Sequence, residues 1–255
     1  MDDERLVEAW PRHRSQLRAE GAHRIDPISF EAHEPPQVRE VFSDLFAFST
    51  QAGDYTRELI NFLNGWGYHI DCVAIWLTVL DGYDASDQAY LINEFVGPLL
   101  ELVLGRPYQA RSRIIYCTTR LFELAARHPG IERPPISRRN MALELLEKLT
   151  RDRRQGPRLL SELRRLNGPE FRKATAEFRN RLHHGLPPYV GQGIFWRVRR
   201  SHPDQKTTQT DFGLEPPIPL APLIPLLRDE HQAAVSAFGA FWLLIQETLG
   251  SVAGT

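Results

Sequence analysis

The amino-acid sequence predicts an all-α fold, namely a helical bundle with a small β-hairpin inserted before the last helix. Three observations support this prediction. Apolar residues recur every three or four positions over most of the 255-residue chain, as they do on the buried face of a helix. Glycine and proline separate these periodic segments from one another. One segment, residues 194–199, alternates with a period of two, which is typical of a strand.

The length of the chain allows one large domain or two small ones. A charged start followed by prolines indicates an N-terminal extension over residues 1–35. The periodic remainder indicates a helical bundle domain over residues 36–255, with the predicted hairpin at about residues 193–214.

Four helices are predicted in the first third of the chain: residues 6–20, 38–49, 54–64 and 68–80. Between the first two, residues 21–36 contain three prolines and are expected to be irregular. Gly65 and Gly67 are expected to separate the third helix from the fourth. The fourth is apolar almost all round, which predicts a central buried helix.

Three residues can cap the next helix at its N-terminus: Asp84, Ser86 and Asp87. This helix is expected to reach residue 104, with a kink at Pro98 and a stop at Gly105 and Pro107. An apolar stripe then predicts another core-facing helix over residues 108–128: Ala110, Ile114, Cys117, Leu121 and Leu124. A further helix is predicted over residues 137–149.

A long helix is predicted from Pro169 to His184, because proline is well tolerated at a first helical position and Gly185 follows as a stop. The remaining predicted elements are two hairpin strands, residues 194–199 and 207–214, and a last helix, residues 226–249.

The charge of the chain is unevenly distributed. Residues 1–150 carry 16 Lys and Arg against 22 Asp and Glu, and residues 201–255 carry 2 against 6. Residues 151–200 carry 13 against 4, a local net charge of +9 in a chain whose formal net charge is −1. Such a pattern is typical of a protein that holds a polyanion in one place, and the alternative is an arginine-rich, solvated helix face.

Cys72 and Cys117 each lie in an apolar segment and belong to no CxxC pair, which predicts buried, inert thiols in a reducing compartment. The charged N-terminus lacks the apolar stretch of a signal peptide. The longest apolar run, residues 73–80, is far too short to span a bilayer. We therefore expect a soluble, cytoplasmic protein that does not interact with a membrane.

The helix that ends at His184 gathers the residue types of a catalytic site on its last turn. Asn180 and His184 are four residues apart, so they are neighbours on the exposed side of the helix. Arg179 lies at the border of the apolar face, with His183 one turn further along that border. The apolar face, which is expected to pack into the bundle, consists of Phe171, Ala174, Phe178 and Leu182.

The string RNRLHH, from Arg179 to His184, resembles the Arg-x4–6-His motif of the HEPN superfamily, in which an asparagine often follows the arginine. The context is similar too, because the motif closes a late helix of a predicted helical bundle. The resemblance covers roughly residues 36–250 and does not extend to the N-terminal extension or to the hairpin.

Many HEPN proteins are metal-independent ribonucleases, so the resemblance implies an RNA substrate, no cofactor and no metal. It implies that Arg179 binds phosphate and that His184 transfers protons. Asn180 would orient the imidazole or contact a phosphate oxygen, and His183 is a secondary candidate. These residue types suit the chemistry, since histidine titrates near neutral pH and arginine binds phosphate in a bidentate fork. Because family sites join two motif helices and this chain holds one, a homodimer is implied.

The resemblance also implies a toxin or an antiviral-defence effector, in the first case with a cognate antitoxin protein as partner. Two other functions remain open: a non-catalytic HEPN-like module that binds a nucleotide or a partner protein, and a purely structural helical dimer. The sequence contains no GxGxxG, P-loop, HExxH or GxSxG string and so does not point to those enzyme classes. The candidate RNA-binding residues are the basic residues around the motif: Arg172, Lys173, Arg181, Arg197 and Arg199.

Each of these residues also has a structural interpretation. Two histidines at a helix end can complement the negative end of the helix dipole. Arg179 can form an ion pair with Glu170 or Glu177. The predicted hairpin can simply cover the bundle instead of contacting RNA.

Overall fold

The computed structural model of the chain describes residues 3–19, 25–35, 44–125, 143–193, 195–201 and 209–253. Within these residues the regular structure is helical apart from one two-stranded sheet and one isolated bridge, so the predicted all-α fold is confirmed. The α-helices of the described residues are α1 (Asp3–Ala19), α2 (Asp44–Leu80), α3 (Ala85–Leu91), α4 (Gly97–Ala125), α5 (Leu143–Leu149), α6 (Gly156–Arg165), α7 (Pro169–Ala174), α8 (Phe178–His184) and α9 (Leu223–Ala253).

Helix α2 runs without a break over 37 residues, so the prediction of separate helices over residues 38–49, 54–64 and 68–80 is wrong. Residues 38–43 lie outside the described residues. A glycine inside a helix costs only about 1 kcal/mol relative to alanine, which the burial of neighbouring Trp66 and Ile70 exceeds. Gly67 also lets the side chains of Ile25 and His231 approach the helix backbone closely, because a Cβ there would lie 3.0 Å from Ile25 Cγ2 and 3.2 Å from His231 Nε2.

The predicted cap at Asp84 is confirmed, since its carboxylate accepts hydrogen bonds of 3.0 Å from the backbone N–H groups of Ser86 and Asp87. The predicted stop at Gly105 and Pro107 is wrong, because α4 continues through both to Ala125. Most of the apolar stripe from Ala110 onward is buried, and burial of each large apolar side chain contributes about 1.5 to 3 kcal/mol. Over several such residues this outweighs a proline inside a helix, which costs about 3 kcal/mol.

A π-helical turn, Ile92–Val96, joins α3 to α4 where the kink at Pro98 is predicted. Proline has no N–H to donate, and in a regular helix its ring collides with the carbonyl group four residues earlier. The wider π turn relieves this crowding, and Gly97 donates its N–H to the carbonyl oxygen of Ile92.

Helix α6 carries part of the positively charged segment of residues 151–200, and α5 precedes it. The predicted helix over residues 137–149 is described only from Leu143 onward. Arg164 on α6 forms an ion pair of 3.0 Å with Glu147 on α5. The turn before α6 is held by Glu247, whose carboxylate accepts from the backbone N–H of Arg154 at 2.7 Å and of Gln155 at 2.9 Å.

Two strands follow α8, namely β1 (Phe195–Ser201) and β2 (Gln209–Glu215). They pair antiparallel, with Phe195 opposite Glu215 and Ser201 opposite Gln209. The described part of the chain does not include residues 202–208 between the strands. It also does not include the side chains of β1 or those of residues 209–212. The last helix, α9, extends beyond the predicted residues 226–249 at both ends.

The chain forms two compact units, each assembled from three stretches. The first unit comprises Met1–Ala22, His69–Gly105 and Pro169–Leu227, and the second comprises His23–Tyr68, Arg106–Gly168 and Arg228–Thr255. The stretch predicted as an N-terminal extension therefore supplies residues to both units, and the whole motif region belongs to the first unit. Helices α2, α4 and α9 each contribute residues to both.

The core of the first unit is built around Trp76, which is fully buried. His13 of α1 stacks on its ring with centroids 4.5 Å apart, and Phe95 stacks on it at 5.1 Å. The second unit has its own core around Trp66, whose ring meets that of His231 edge-on at 5.2 Å. The Nε2 atom of His231 lies 3.0 Å from the carbonyl oxygen of Leu63, and this contact joins α9 to α2 within the unit.

By length and composition, one described helix, Leu223–Gly250, could cross a membrane. Most of its apolar window is buried inside the structure, as in the core helix of a soluble protein. Cys72 and Cys117 are both buried, as predicted, and neither forms a disulfide; burial raises the pKa of the Cys117 thiol to about 12.

Candidate functional site

The region predicted as one helix from Pro169 to His184 is two helices, so this prediction is wrong. Helix α7 ends at Ala174 and α8 begins at Phe178. Ala176 and Glu177 between them have positive φ angles of 49° and 55°, in the left-handed region. Neither is a glycine, so the sequence carries no ordinary signal of a break at this point.

The break follows the hydrogen-bond pattern of a Schellman C-cap. Glu177 donates its N–H to the carbonyl oxygen of Arg172 at 2.7 Å, and Ala176 donates to that of Lys173 at 3.1 Å. The buried Thr175 adds a side-chain bond of 2.8 Å to the carbonyl oxygen of Phe171. These bonds offset the cost of the left-handed residues and set the direction in which α8 leaves the turn.

The break also changes which side chains pack. Phe171 and Phe178 are buried as predicted, whereas Ala174 is exposed and Leu182 is only half-buried. Thr175, four residues after Phe171, is buried instead. The apolar face predicted from the helical wheel is therefore correct at its two aromatic residues and wrong at Ala174, since Thr175 lies nearer to Phe171 on the wheel, at about 40° against about 60° for Ala174.

A row of polar side chains runs from the break along α8. Glu177 Oε2 accepts a hydrogen bond of 2.8 Å from Asn180 Nδ2, and Asn180 Oδ1 accepts one of 3.3 Å from Arg179 Nη1. On the other side, Glu177 Oε1 lies 3.9 Å from Arg172 Nη1. These four side chains, Arg172, Glu177, Asn180 and Arg179, are called the polar row below.

The polar row turns the Arg179 guanidinium towards the face that holds Asn180. On a helix Asn180 and His184 are neighbours, whereas the backbone positions of Arg179 and His184 lie on different sides. The bond from Arg179 to Asn180 therefore carries the guanidinium across to the side of His184. The sequence predicts Glu177 only as an ion-pair partner of Arg179. The contact between Glu177 and Asn180 has a sequence signal as well, because the two residues are three apart on a helix.

His183 and His184 are both exposed, with ring centroids 6.5 Å apart. Exposure therefore does not distinguish His183 from His184, and the expectation that His183 lies nearer the packed side stays a prediction. The helix ends directly after them, where Gly185 donates its N–H to the carbonyl oxygen of Arg181 at 2.8 Å.

Arg181, a candidate RNA-binding residue, is engaged within the chain. Its Nη1 forms an ion pair of 3.0 Å with Glu215 at the end of β2, and its Nε donates to the carbonyl oxygen of Leu186 at 3.1 Å. The side chains of Arg181 and Glu215 are 15 % and 14 % exposed. Arg181 therefore holds the chain after α8 in place, with a side chain that is largely buried in these contacts.

The other candidate RNA-binding residues lie on α7 and on β1. Arg172 is half-buried and faces Glu177 in the polar row, and Lys173 is exposed. Arg197 and Arg199 lie on β1, but their side chains are outside the described residues. The Arg172–Glu177 pair is 42 % and 45 % exposed, so it stabilises the fold little and mainly fixes geometry.

A cleft of about 410 Å³, called the α8 cleft below, lies beside the motif helix in the first unit. Its walls are Phe178 of α8, the loop of residues 186–192, and the π turn with the start of α4. Sequence reasoning did not find this cleft, because its walls come from parts of the chain about 90 residues apart.

Among the described residues, no group of three or more His, Cys, Asp and Glu side chains is arranged to hold a metal ion. Comparison of the chain with protein families, with curated proteins and with solved structures finds no match.

Proposed function

We propose that this chain is a metal-independent endoribonuclease of HEPN type, which acts as a homodimer with a composite site. The single observation that supports this most is the bond from Arg179 to Asn180, which turns the guanidinium to the side of the exposed His184. Arg179 is half-buried and Asn180 and His184 are exposed, and all three lie within the seven residues of α8. Histidine can transfer protons and arginine can stabilise charge that develops on a phosphate, so these groups suit a phosphodiester cleavage without metal.

The reaction uses the nucleophile that RNA itself supplies. The 2′-oxygen attacks the adjacent phosphorus while a histidine removes its proton. The bond from phosphorus to the 5′-oxygen breaks, and a second histidine, that of the partner copy, gives this oxygen a proton. The products are a 2′,3′-cyclic phosphate and a 5′-hydroxyl. The Arg179 guanidinium binds the phosphate oxygens as their negative charge grows, and the polar row holds it in place.

The surrounding charge suits a polyanionic substrate, because residues 151–200 carry a net charge of +9. We propose that the protein is a toxin or an antiviral-defence effector. Such a ribonuclease harms its own cell when active, so a cognate antitoxin protein is the expected partner of a toxin. A neighbouring gene for such an antitoxin would support the first role.

The second candidate function is a non-catalytic HEPN-like module that binds a nucleotide or a partner protein. The α8 cleft favours it, because a cleft of about 410 Å³ beside the motif provides a binding site without any chemistry. The two functions differ in whether RNA is cut or a ligand is only bound.

The experiment is an RNA cleavage assay with purified protein in excess EDTA. We expect cleavage to continue in the chelator and to leave 2′,3′-cyclic phosphate ends, because histidine and arginine supply the proton transfer and the positive charge. His184→Ala measured under the same conditions controls for contaminating nucleases. Activity that stops with EDTA and returns with magnesium would rule out the proposed chemistry, and RNA binding without any cleavage would favour the non-catalytic module.

A further inference from the structure

The α8 cleft has the size and the chemical character of a site for a single nucleobase. We infer that it binds one unpaired base of a single-stranded RNA, next to the phosphate held at the motif. The placement beside the phosphate rests on the proposed function, whereas binding of a base does not. Its volume of about 410 Å³ lies within the range of small-ligand sites, about 300 to 1,000 Å³.

The walls of the cleft match the two kinds of surface that a base presents. Leu186 and Tyr189 are 66 % and 51 % exposed, and both line the cleft, so their apolar surfaces are open to the flat face of a ring. Asn93, Glu101 and Gln192 line it as well and supply hydrogen-bonding groups for the edge of the ring. Single-stranded RNA is commonly recognised in this way, by stacking on an aromatic side chain and by contacts to the base edge.

The loop that carries Leu186 and Tyr189 is held in place from several sides. Gly191 donates its N–H to the carbonyl oxygen of Ile218 at 2.7 Å, and Ile218 donates to that of Tyr189 at 2.9 Å. Arg181 holds the start of the loop through the carbonyl oxygen of Leu186. A wall tethered in this way loses little conformational entropy when a ligand binds.

Gly193 fixes the ring of Tyr189. Its φ angle is +114°, which side chains rarely adopt, and a Cβ at this position would lie 2.7 Å from Tyr189 Cγ. Only a glycine therefore lets the ring pack directly against the backbone here. The ring keeps its remaining surface exposed on the side of the cleft.

The position of the cleft links it to the motif. Leu186 follows His184 by two residues, which span at most about 7 Å of chain. Phe178, the first residue of α8, forms another part of the wall. Residues directly before Arg179 and just after His184 thus line the cleft, and on this ground the inferred base lies next to a phosphate at the motif.

The polar groups favour a base with an exocyclic amino group. Asparagine and glutamine pair well with the amino group and ring nitrogen of adenine, and a carboxylate accepts from the amino groups of adenine or cytosine. Glu101 can only accept, and the one donor on the pairing edge of uracil, N3–H, is flanked by two carbonyl oxygens that a carboxylate repels. We expect adenine to bind in preference to uracil.

The test measures binding of fluorescent 2′-O-methyl decamers of adenosine and of uridine by anisotropy. The 2′-O-methyl group removes the nucleophile, so binding is measured without cleavage. We expect Tyr189→Ala to weaken binding of the adenosine decamer by about 5- to 150-fold, the range for loss of a stacked base. Tyr189→Phe should keep the affinity, because it keeps the ring. Tyr116→Ala is the matched control, since Tyr116 is 42 % exposed on α4 and does not line the cleft.

A decamer that carries one 8-azidoadenosine locates the base. Irradiation should attach it to residues 186–192, as identified by mass spectrometry. Normal binding by Tyr189→Ala, with cross-links elsewhere, would overturn the inference. So would a Tyr189→Ala protein that binds RNA normally but no longer self-associates, because the cleft would then be a contact between copies. Equal affinity for both decamers would contradict the role of Glu101. Base-dependent binding at Tyr189 without cleavage of ordinary RNA would uphold the cleft and refute the nuclease.

Discussion

Among single residues, the two adjacent histidines of α8 test the proposed chemistry most directly. His184 lies four residues after Asn180, the side chain to which Arg179 donates, whereas His183 lies four residues after Arg179 itself, whose guanidinium turns away towards Asn180. We expect His184→Ala to lower the cleavage rate by about 100- to 10,000-fold, the usual cost of a lost acid–base group, and His183→Ala to lower it much less. Arg179→Lys should also be severely impaired, because an ammonium cannot reproduce the guanidinium fork.

The three variants are compared in one cleavage assay with their melting temperatures recorded. All three positions are at least partly exposed, so we expect the variants to remain folded. A wild-type rate for His184→Ala together with a loss for His183→Ala would mean that the catalytic histidine is His183. Wild-type rates for all three would remove the proposed site from α8.

A second residue, His13, predicts how stability depends on pH. Its ring is buried against Trp76, with Nε2 3.2 Å from the carbonyl oxygen of Cys72. Burial lowers the pKa of His13 below its ordinary value of 6.5, and the bond to Cys72 opposes this only in part. The unfolded chain therefore binds a proton more tightly than the folded chain, so stability should fall as the pH drops below about 6.5.

His13→Phe keeps an aromatic ring at this position and removes the titrating group. Chemical denaturation of both proteins between about pH 5 and pH 8 should show a flatter profile for the variant. The chain contains nine histidines, so the difference between the two profiles is the quantity to examine. Parallel profiles would show that His13 binds its proton equally in the folded and unfolded states.

At the scale of elements, the break between α7 and α8 makes a prediction about stability. Ala176 has a φ angle of 49°, which costs a residue with a Cβ roughly 1 kcal/mol or more. Ala176→Gly removes that cost, and we expect the free energy of unfolding to rise by up to about 1 kcal/mol. Ala174→Gly is the matched control, because Ala174 is exposed at the regular end of α7 and its replacement should lose about 0.5 to 1 kcal/mol.

Denaturant unfolding of the two variants measures both changes in one experiment. A loss of stability in Ala176→Gly equal to that in Ala174→Gly would show that residue 176 is helical in solution. In that case the break would not explain how Glu177 meets Asn180, because this contact depends on the start of α8 at Phe178.

At the scale of the whole molecule, the proposed mechanism requires two copies of the chain. Each chain holds one Arg-x4-His motif, and a composite site needs one histidine to accept a proton and another to donate one. Light scattering at micromolar concentration should therefore give about twice the chain mass of 29.3 kDa. A monomer at concentrations where the protein cleaves RNA would exclude the composite site while leaving the role of His184 open to the cleavage assay.

The sequence by itself determined the helical character of the chain, the cap at Asp84, the buried stripe of α4 and the burial of Phe171 and Phe178. These features are encoded locally, in the spacing of apolar residues and in the side chain that precedes a helix. The motif residues could likewise be named in advance, because the Arg-x4-His string is contiguous.

Only the tertiary structure decided where helices break and which polar groups meet. Helix α2 passes through Gly65 and Gly67, whereas the motif region breaks at Ala176, where no glycine stands. In both places packing outweighs a local preference of about 1 kcal/mol. The pairing of Arg181 with Glu215, 34 residues later, and the walls of the α8 cleft depend on long-range contacts, which the spacing of residues along a chain does not specify.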